Sequence, residues 1–185
     1  MSSQAIKTNN DAEMLQAKID LRIQSIAHLK DEVNVLELFG GEGVLWAEVI
    51  KQTGKTVNIL SIDKNKYRRL QLQGDNMKFI ESLDLKIFDL IDIDAWGSPF
   101  KQLDMILNRG YTGIIHCTFI QSVLGQLSKD MLISLGYTQE MIEKIPTLFG
   151  KNGIEKFKTY LANKGIKEIH IAQKGRKNYL YFIIG

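Results

Sequence analysis

Apolar residues first recur at helical spacing. Met14, Leu15, Ile19, Ile23, Ile26 and Leu29 predict a helix from Asp11 to about Lys30, with Asn10 or Asp11 as its cap and Glu13 in its first turn. The pattern then shortens. Val33 to Phe39 reads as a buried strand that ends in Gly40-Gly41-Glu42-Gly43. A helix follows over Val44 to about Gln52, and Gly54 is placed to stop it. Thr56 to Ile62 is a second β-branched run, ending at Asp63. Residues 64–73 have room for a short helix and a short third strand. Gly74-Asp75-Asn76 is a turn signal, and Met77 to Leu83 suits a short helix. Phe88 to Ile93 predicts a strand, Phe100 to Leu107 a helix and Gly113 to Ile120 a fifth strand. Residues 121–147 form an apolar helical insert, best divided near 128–135 and 138–145. Gly153 to Asn163 is a further helix closed by Gly165. Lys167 to Gln173 and Asn178 to Ile184 alternate like paired strands across a Lys174-Gly175-Arg176-Lys177 turn.

Strands alternating with helices imply an α/β fold, a mostly parallel sheet with helices on both faces. The closing hairpin requires one antiparallel strand. At 185 residues the chain makes one compact domain, its first 30 residues a helical extension.

Composition narrows the setting. Hydrophobic residues are 44% and charged residues 24%, ordinary for a soluble globular protein. The net charge is +3, but Lys144 to Gly185 carries nine basic and two acidic residues, so the basic charge is concentrated at that end. That end can meet phosphates, or is simply a solvated lysine-rich surface. One cysteine, Cys117, rules out an internal disulfide; in its apolar run it reads as core. The polar start is no signal peptide and no run of about 18 apolar residues is present, so no membrane association and a cytoplasmic location are expected. His28, His116 and His170 share no metal-ligand spacing, so no metal is expected.

The first candidate site is the glycine turn. Glycines after a buried strand let the backbone turn sharply and approach a ligand, and the next helix N-terminus adds donors. The spacing Glu37-x-Phe39-Gly40-Gly41-x-Gly43 lacks the G-x-G-x-x-G of dinucleotide binders. Asp63, ending the second strand about 20 residues on, suits a ribose diol or a plain turn. Asp75 and Asn76 suit an adenine edge or a plain turn.

Glu37 to Gly43 resembles the first motif of class I S-adenosylmethionine-dependent methyltransferases, acidic-x-aromatic-small-Gly-x-Gly. The resemblance implies a Rossmann-like, seven-stranded, mostly parallel sheet with an antiparallel C-terminal strand. It implies S-adenosyl-L-methionine as cofactor, with Glu37, Phe39, Gly41, Gly43, Asp63, Asp75 and Asn76 as binding residues. The segment Phe88-Asp89-Leu90-Ile91-Asp92-Ile93-Asp94-Ala95-Trp96-Gly97-Ser98-Pro99-Phe100 is similar to the fourth motif of the tRNA guanine N2-dimethyltransferase family. That motif is an apolar strand, then Asp-Pro-aromatic-Gly-Ser-Pro, then a helix. Ala95 stands where the family has proline. An exocyclic amine is a weak nucleophile because its lone pair is delocalised. A carboxylate accepting its hydrogens raises its electron density, and an aromatic face stacks the base. Asp94 is therefore the expected acceptor, Trp96 the stacking platform and Gly97 the point of close backbone approach. The resemblance spans about residues 33–120, and no separate tRNA-binding domain is visible.

The expected activity is N-methylation of a nucleobase exocyclic amine in RNA or DNA. A methyltransferase acting on a small molecule or protein, and a non-catalytic binding module, are the alternatives. Lys174, Arg176 and Lys177, with Tyr179, form a basic hairpin that suits a nucleic-acid backbone or remains solvated. Asp92 faces the cofactor or caps the sheet edge, and Trp46 reads as core.

Overall fold

The computed structural model describes residues 12–66, 72–95, 97–120, 127–146 and 151–185. Seven strands form one sheet: β1 (Glu32–Glu37), β2 (Thr56–Asp63), β3 (Leu72–Gln73), β4 (Leu90–Ile93), β5 (Gly113–Ile120), β6 (His170–Lys174) and β7 (Lys177–Ile184). Their order is β3-β2-β1-β4-β5-β7-β6. β1 to β5 pair in parallel, and β7 runs antiparallel to both β5 and β6. The helices are α1 (Ala12–Ile26), α2 (Val44–Thr53), α3 (Asn76–Ser82), α4 (Phe100–Asn108), α5 (Lys129–Ser134), α6 (Gln139–Lys144) and α7 (Gly153–Asn163). This is the expected α/β architecture.

Strand alternation sorts the core into two layers. Leu36, Leu38, Ile91, Ile93, Ile115, Phe119, Leu180 and Phe182 join α4, α5 and α7 on one face. Val33, Val35, Leu90, Ile114, Tyr179 and Tyr181 meet Met14, Ile19, Ile26, Trp46 and Val49 of α1 and α2 on the other. With a period of two, Glu37, Asp92, His116 and Thr118 fall on this second face, and Asp94 continues its parity. All but Asp94 are buried, so the helices above must supply polar partners.

Boundaries follow local chemistry. Gly54 closes α2 as anticipated, with φ of 69° and its N–H donating to the Ile50 carbonyl. α1 ends at Ile26, earlier than the periodicity suggests, because Leu29 N–H turns back to the Ile26 carbonyl. β4 starts at Leu90 rather than Phe88: Leu85–Ile87 form a 3-10 turn, and the Asp84 side chain accepts from Lys86 N–H. The anticipated cap of α1, the Trp96 platform, and parts of the segments at 64–73 and 121–147 lie outside the described residues. No helix among the described residues is long and apolar enough to cross a membrane.

Candidate active site

β1 and β4 are neighbours, and the chain leaves them toward opposite sides of the sheet. In open α/β sheets this switch point, at the carboxyl ends of the strands, is where ligands bind. Both leading motifs lie there. The glycine turn follows β1, Asp94 follows β4, and Glu37 is in register with Asp92.

The glycine turn is held from two sides. Gly40 N–H donates to the Ile62 carbonyl at 3.1 Å, and Gly43 N–H to the Gly40 carbonyl at 3.0 Å. Gly41 N–H donates to Asp63 Oδ2 at 3.3 Å. Gly41 and Gly43 adopt φ of 48° and 67°, the left-handed region that favours glycine. A Cβ on Gly41 would meet nothing within 4 Å, so the turn faces open space suited to a ligand. Gly40 is the opposite case: a Cβ there would lie 1.8 Å from Ser61 Oγ.

Beneath the turn, a cavity of about 70 Å³ is lined by Glu37, Gly40, Gly41, Gly43, Trp46, Ile59 and Ser61. Glu37 is 6% exposed and accepts from Ser61 Oγ at 2.7 Å. Burial, reinforced by the Asp92 carboxylate, raises its carboxyl to about 7, partly offset by the Ser61 hydroxyl and Arg22.

The remaining expected cofactor residues have defined structural partners. Phe39 packs partly buried against the core. Asp63 also accepts from Asn65 N–H at 2.9 Å. Asp75 caps α3, its Oδ1 accepting from Met77 N–H at 3.0 Å. Asn76 donates to the Leu38 carbonyl and accepts from Gln102, bridging the end of β1 to α4.

Past β4, the chain closes tightly. Ala95 N–H donates to the Ile93 carbonyl at 2.7 Å, a bond that proline has no hydrogen to make. The departure from the family pattern thus exchanges a ring constraint for a hydrogen bond. Gly97 has φ of 106°, and its carbonyl accepts from Ile120 N–H at 2.8 Å, tying the segment to the end of β5.

The acidic side chains of β4 are met by α1. Asp92 lies on a central strand, which excludes the sheet-edge role. Its carboxylate accepts from Arg22 Nε and Nη2, both at 2.9 Å, and from Trp46 Nε1 at 2.9 Å. Trp46 is core, as anticipated, and also a donor. Asp94 is 17% exposed at its side chain. Lys18 Nζ donates to both its oxygens, at 2.9 and 2.6 Å, and Thr118 Oγ1 donates to Oδ1. Burial works to raise the Asp94 carboxyl, but Lys18 and Arg22, with hydrogen bonds from Lys18 and Thr118, hold it below the usual carboxylate range. Lys18, Arg22, Thr118 and Ser61 are site residues the sequence reading did not name. The signal available was the parity of the buried acids on β1 and β4, which demands cations from the covering helix.

His116 is buried, bonded to Ser25 Oγ at 2.8 Å, and burial lowers its pKa well below the usual histidine value. Cys117 is buried and its thiol is pushed up by burial, which fits core rather than nucleophile. Among the described residues no cluster of His, Cys, Asp and Glu suits a metal ion. The Lys174–Lys177 hairpin is anchored by Ile120↔Lys177, at the carboxyl end of β5. It therefore stands on the same rim of the sheet as Asp94.

No family model matches the chain. It is similar to the tRNA (guanine(26)-N(2))-dimethyltransferase of Methanobrevibacter smithii, 33% identical over 99 residues, which cover 45% of the chain and 26% of that protein. The protein of the same name from Thermoplasma acidophilum is 28% identical over 94 residues, covering 44% and 27%. The match to each of these relatives thus spans about a quarter of its length. Among solved structures, precorrin-6y C5,15-methyltransferase from Geobacter metallireducens superposes with a TM-score of 0.54 at 13% identity, covering 98% of this chain and 92% of that one. A SAM-dependent methyltransferase from Archaeoglobus fulgidus gives 0.53 at 16%, covering 91% and 93%. The plantazolicin methyltransferase BpumL, solved with S-adenosylhomocysteine (SAH), gives 0.51 at 13%, covering 94% and 84%. With the strand order, the glycine turn and the Asp94 segment already in place, these likenesses establish that the chain has the class I fold of the S-adenosylmethionine-dependent methyltransferases.

Proposed function

We propose that this protein is an S-adenosyl-L-methionine-dependent methyltransferase that N-methylates an exocyclic amine of a nucleobase in RNA or DNA. The observation that carries this reading is Asp94: an ionised carboxylate at the mouth of the switch-point crevice, beside an open glycine turn. When bound, the cofactor supplies an electrophilic methyl group on a sulfonium that leaves without acid assistance. The residues present fit it. Gly41 and Gly43 leave the backbone open, Asp63 offers carboxylate oxygens at the end of β2, and Glu37 is a buried carboxyl suited to a cationic group.

The protein's own task is to position an amine and raise its electron density. Ionised Asp94 accepts an amine N–H and draws the lone pair out of conjugation with the ring. Trp96 is the proposed stacking surface. In a duplex the target base would have to be turned out of the stack. The Lys174, Arg176 and Lys177 hairpin, on the same rim, would hold the phosphate backbone beside the site. A cytoplasmic location, where nucleic acid is accessible, belongs to this reading.

The test is transfer of labelled methyl groups to RNA and DNA, run beside calorimetric titration with SAH. Asp94→Ala is expected to abolish transfer while leaving SAH affinity within about twofold. Absence of SAH binding at millimolar ligand overturns any methyltransferase reading; full activity in Asp94→Ala overturns the role of that carboxylate. SAH binding without nucleic-acid methylation transfers the case to small-molecule or protein substrates. That alternative is favoured by one fact: the chain matches nearly the full length of the precorrin enzyme but only a quarter of each tRNA dimethyltransferase.

A further inference from the structure

We propose that Lys18 is a positioning residue of this site, clamping the Asp94 carboxylate as a fixed hydrogen-bond acceptor with one acceptor position left for substrate. Its functional half rests on the methyl-transfer reading of Asp94.

The geometry is specific. Lys18 and Arg22 are one turn apart on α1, and Asp92 on β4 is two residues from Asp94, just past the end of that strand. Arg22 is committed to Asp92, which it grips with two donors. Lys18 is committed to Asp94, bridging both oxygens. An ionised carboxylate has about four acceptor positions. Lys18 fills two and Thr118 a third, so among the described residues one is left. Lys18 is itself held. Its ammonium lies 4.6 Å from the centroid of the Tyr179 ring, and the residue is only 9% exposed. Such a lysine has little freedom to follow the bulk solvent, and its charge acts on Asp94 with little screening.

The groups facing Asp94 are Lys18 and Arg22 from α1, Asp92 from β4, Glu37 from β1, Thr118 from β5 and Tyr179 from β7. Arg22 and Lys18 each sit against one aspartate, with the Glu37 carboxyl as a third acid nearby. Without Lys18, one guanidinium would face both aspartates, and Asp94 would take up a proton more readily. A protonated Asp94 is a poor acceptor for an amine. Lys18 therefore makes Asp94 an electrostatic acceptor rather than a proton-taking base, and the amine proton passes to solvent.

The experiment pairs carbon-13 NMR titration of the Asp94 carboxyl with the pH profile of methyl transfer to RNA or DNA. In wild type, the Asp94 resonance is expected to stay unmoved from pH 8 to pH 4.5, with kcat free of any Asp94 limb. In Lys18→Met, the resonance titrates inside that window. Its kcat then falls about tenfold from pH 8 to pH 5, with KM for the cofactor unchanged. A merely structural role would lower kcat equally at every pH. An Asp94 resonance in Lys18→Met that matches wild type overturns the proposal, as does a superimposable pH profile. Should Lys18→Met fail to fold, Lys18→Gln decides. The neutral amide keeps a donor for Asp94 but removes the charge, so the Asp94 resonance titrates between pH 8 and pH 4.5 and kcat falls only toward low pH. An Asp94 resonance in Lys18→Gln that stays unmoved across that window overturns the proposal. If wild type methylates no nucleic acid, the reaction assigned above fails, and the carboxyl titration still decides whether Lys18 sets the charge of Asp94.

Discussion

Gly40→Ala tests how tightly the site is built. Gly40 is not in the left-handed region, so alanine's backbone preference costs nothing there; the obstacle is space. The new methyl would lie 1.8 Å from Ser61 Oγ and 3.1 Å from Glu37 Oε2. Reaching ordinary contact at 3.4 Å requires the Ser61 hydroxyl to retreat by about 1.6 Å. That retreat breaks its 2.7 Å bond to Glu37, which is buried. Overpacking costs about 1–3 kcal/mol. Leaving a buried carboxylate short of its donor costs about 1–3 kcal/mol. Gly40→Ala is therefore expected to destabilise by about 3 kcal/mol in urea unfolding at pH 8. Ser61→Ala alone loses only the hydrogen bond. The double variant loses the hydroxyl and with it the worst clash, so it is expected to be more stable than additivity predicts by about 1–2 kcal/mol. A Gly40→Ala change under about 0.5 kcal/mol, or strict additivity in the cycle, would refute the reasoning.

Other outcomes follow from the same geometry. Burial raises the Glu37 carboxyl from 4.5 to about 7, so the folded state holds its proton more tightly than the unfolded chain. The stability Glu37 contributes is full below pH 4.5 and is lost as pH rises through about 7, a change of about 3 kcal/mol; unfolding curves of Glu37→Gln should lack this slope, and an unchanged slope would exclude Glu37 as its source. Arg22→Met strands the Asp92 carboxylate and is expected to cost about 3–5 kcal/mol, seen as a lowered urea midpoint, whereas a cost under about 1 kcal/mol would mean that Asp92 is solvated. Gly41→Val places a β-branched side chain at φ 48° in the open space of the turn, so SAH affinity should fall at least tenfold by calorimetry; unchanged affinity would move the cofactor elsewhere.

Much of the architecture was legible because period and punctuation agree. Gly113 to Ile120 and Gly153 to Asn163 coincide with β5 and α7, and Gly54 stops α2. The location of the glycine turn was legible for the same reason: a buried strand, then glycines, then a helix. What escaped was set by tertiary pairing. Apolar periodicity treats Lys18 and Arg22 as the solvated side of a helix, although both are buried against β4. Their burial is decided by Asp92 and Asp94, 70 and 76 residues away. The Asn76 side chain bridges the Leu38 carbonyl and Gln102, partners 38 and 26 residues away that no local pattern places beside it. The 3-10 turn before β4 escaped because its Asp84 cap looks like any polar loop residue.

The pairing of α1 with β4 also constrains how the chain folds as it is made. Lys18 and Arg22 leave the ribosome 70 to 76 residues before their aspartates. At about 5–20 residues per second this is a wait of about 4 to 15 s. An apolar inner face would spend that interval as a surface for aggregation. Two cations among Ile19, Ile23 and Ile26 instead keep the waiting helix hydrated, and they become buried only when the two acids that match them arrive. The charges that set the electrostatics of the crevice would then also act, during synthesis, as an internal chaperone for the first helix.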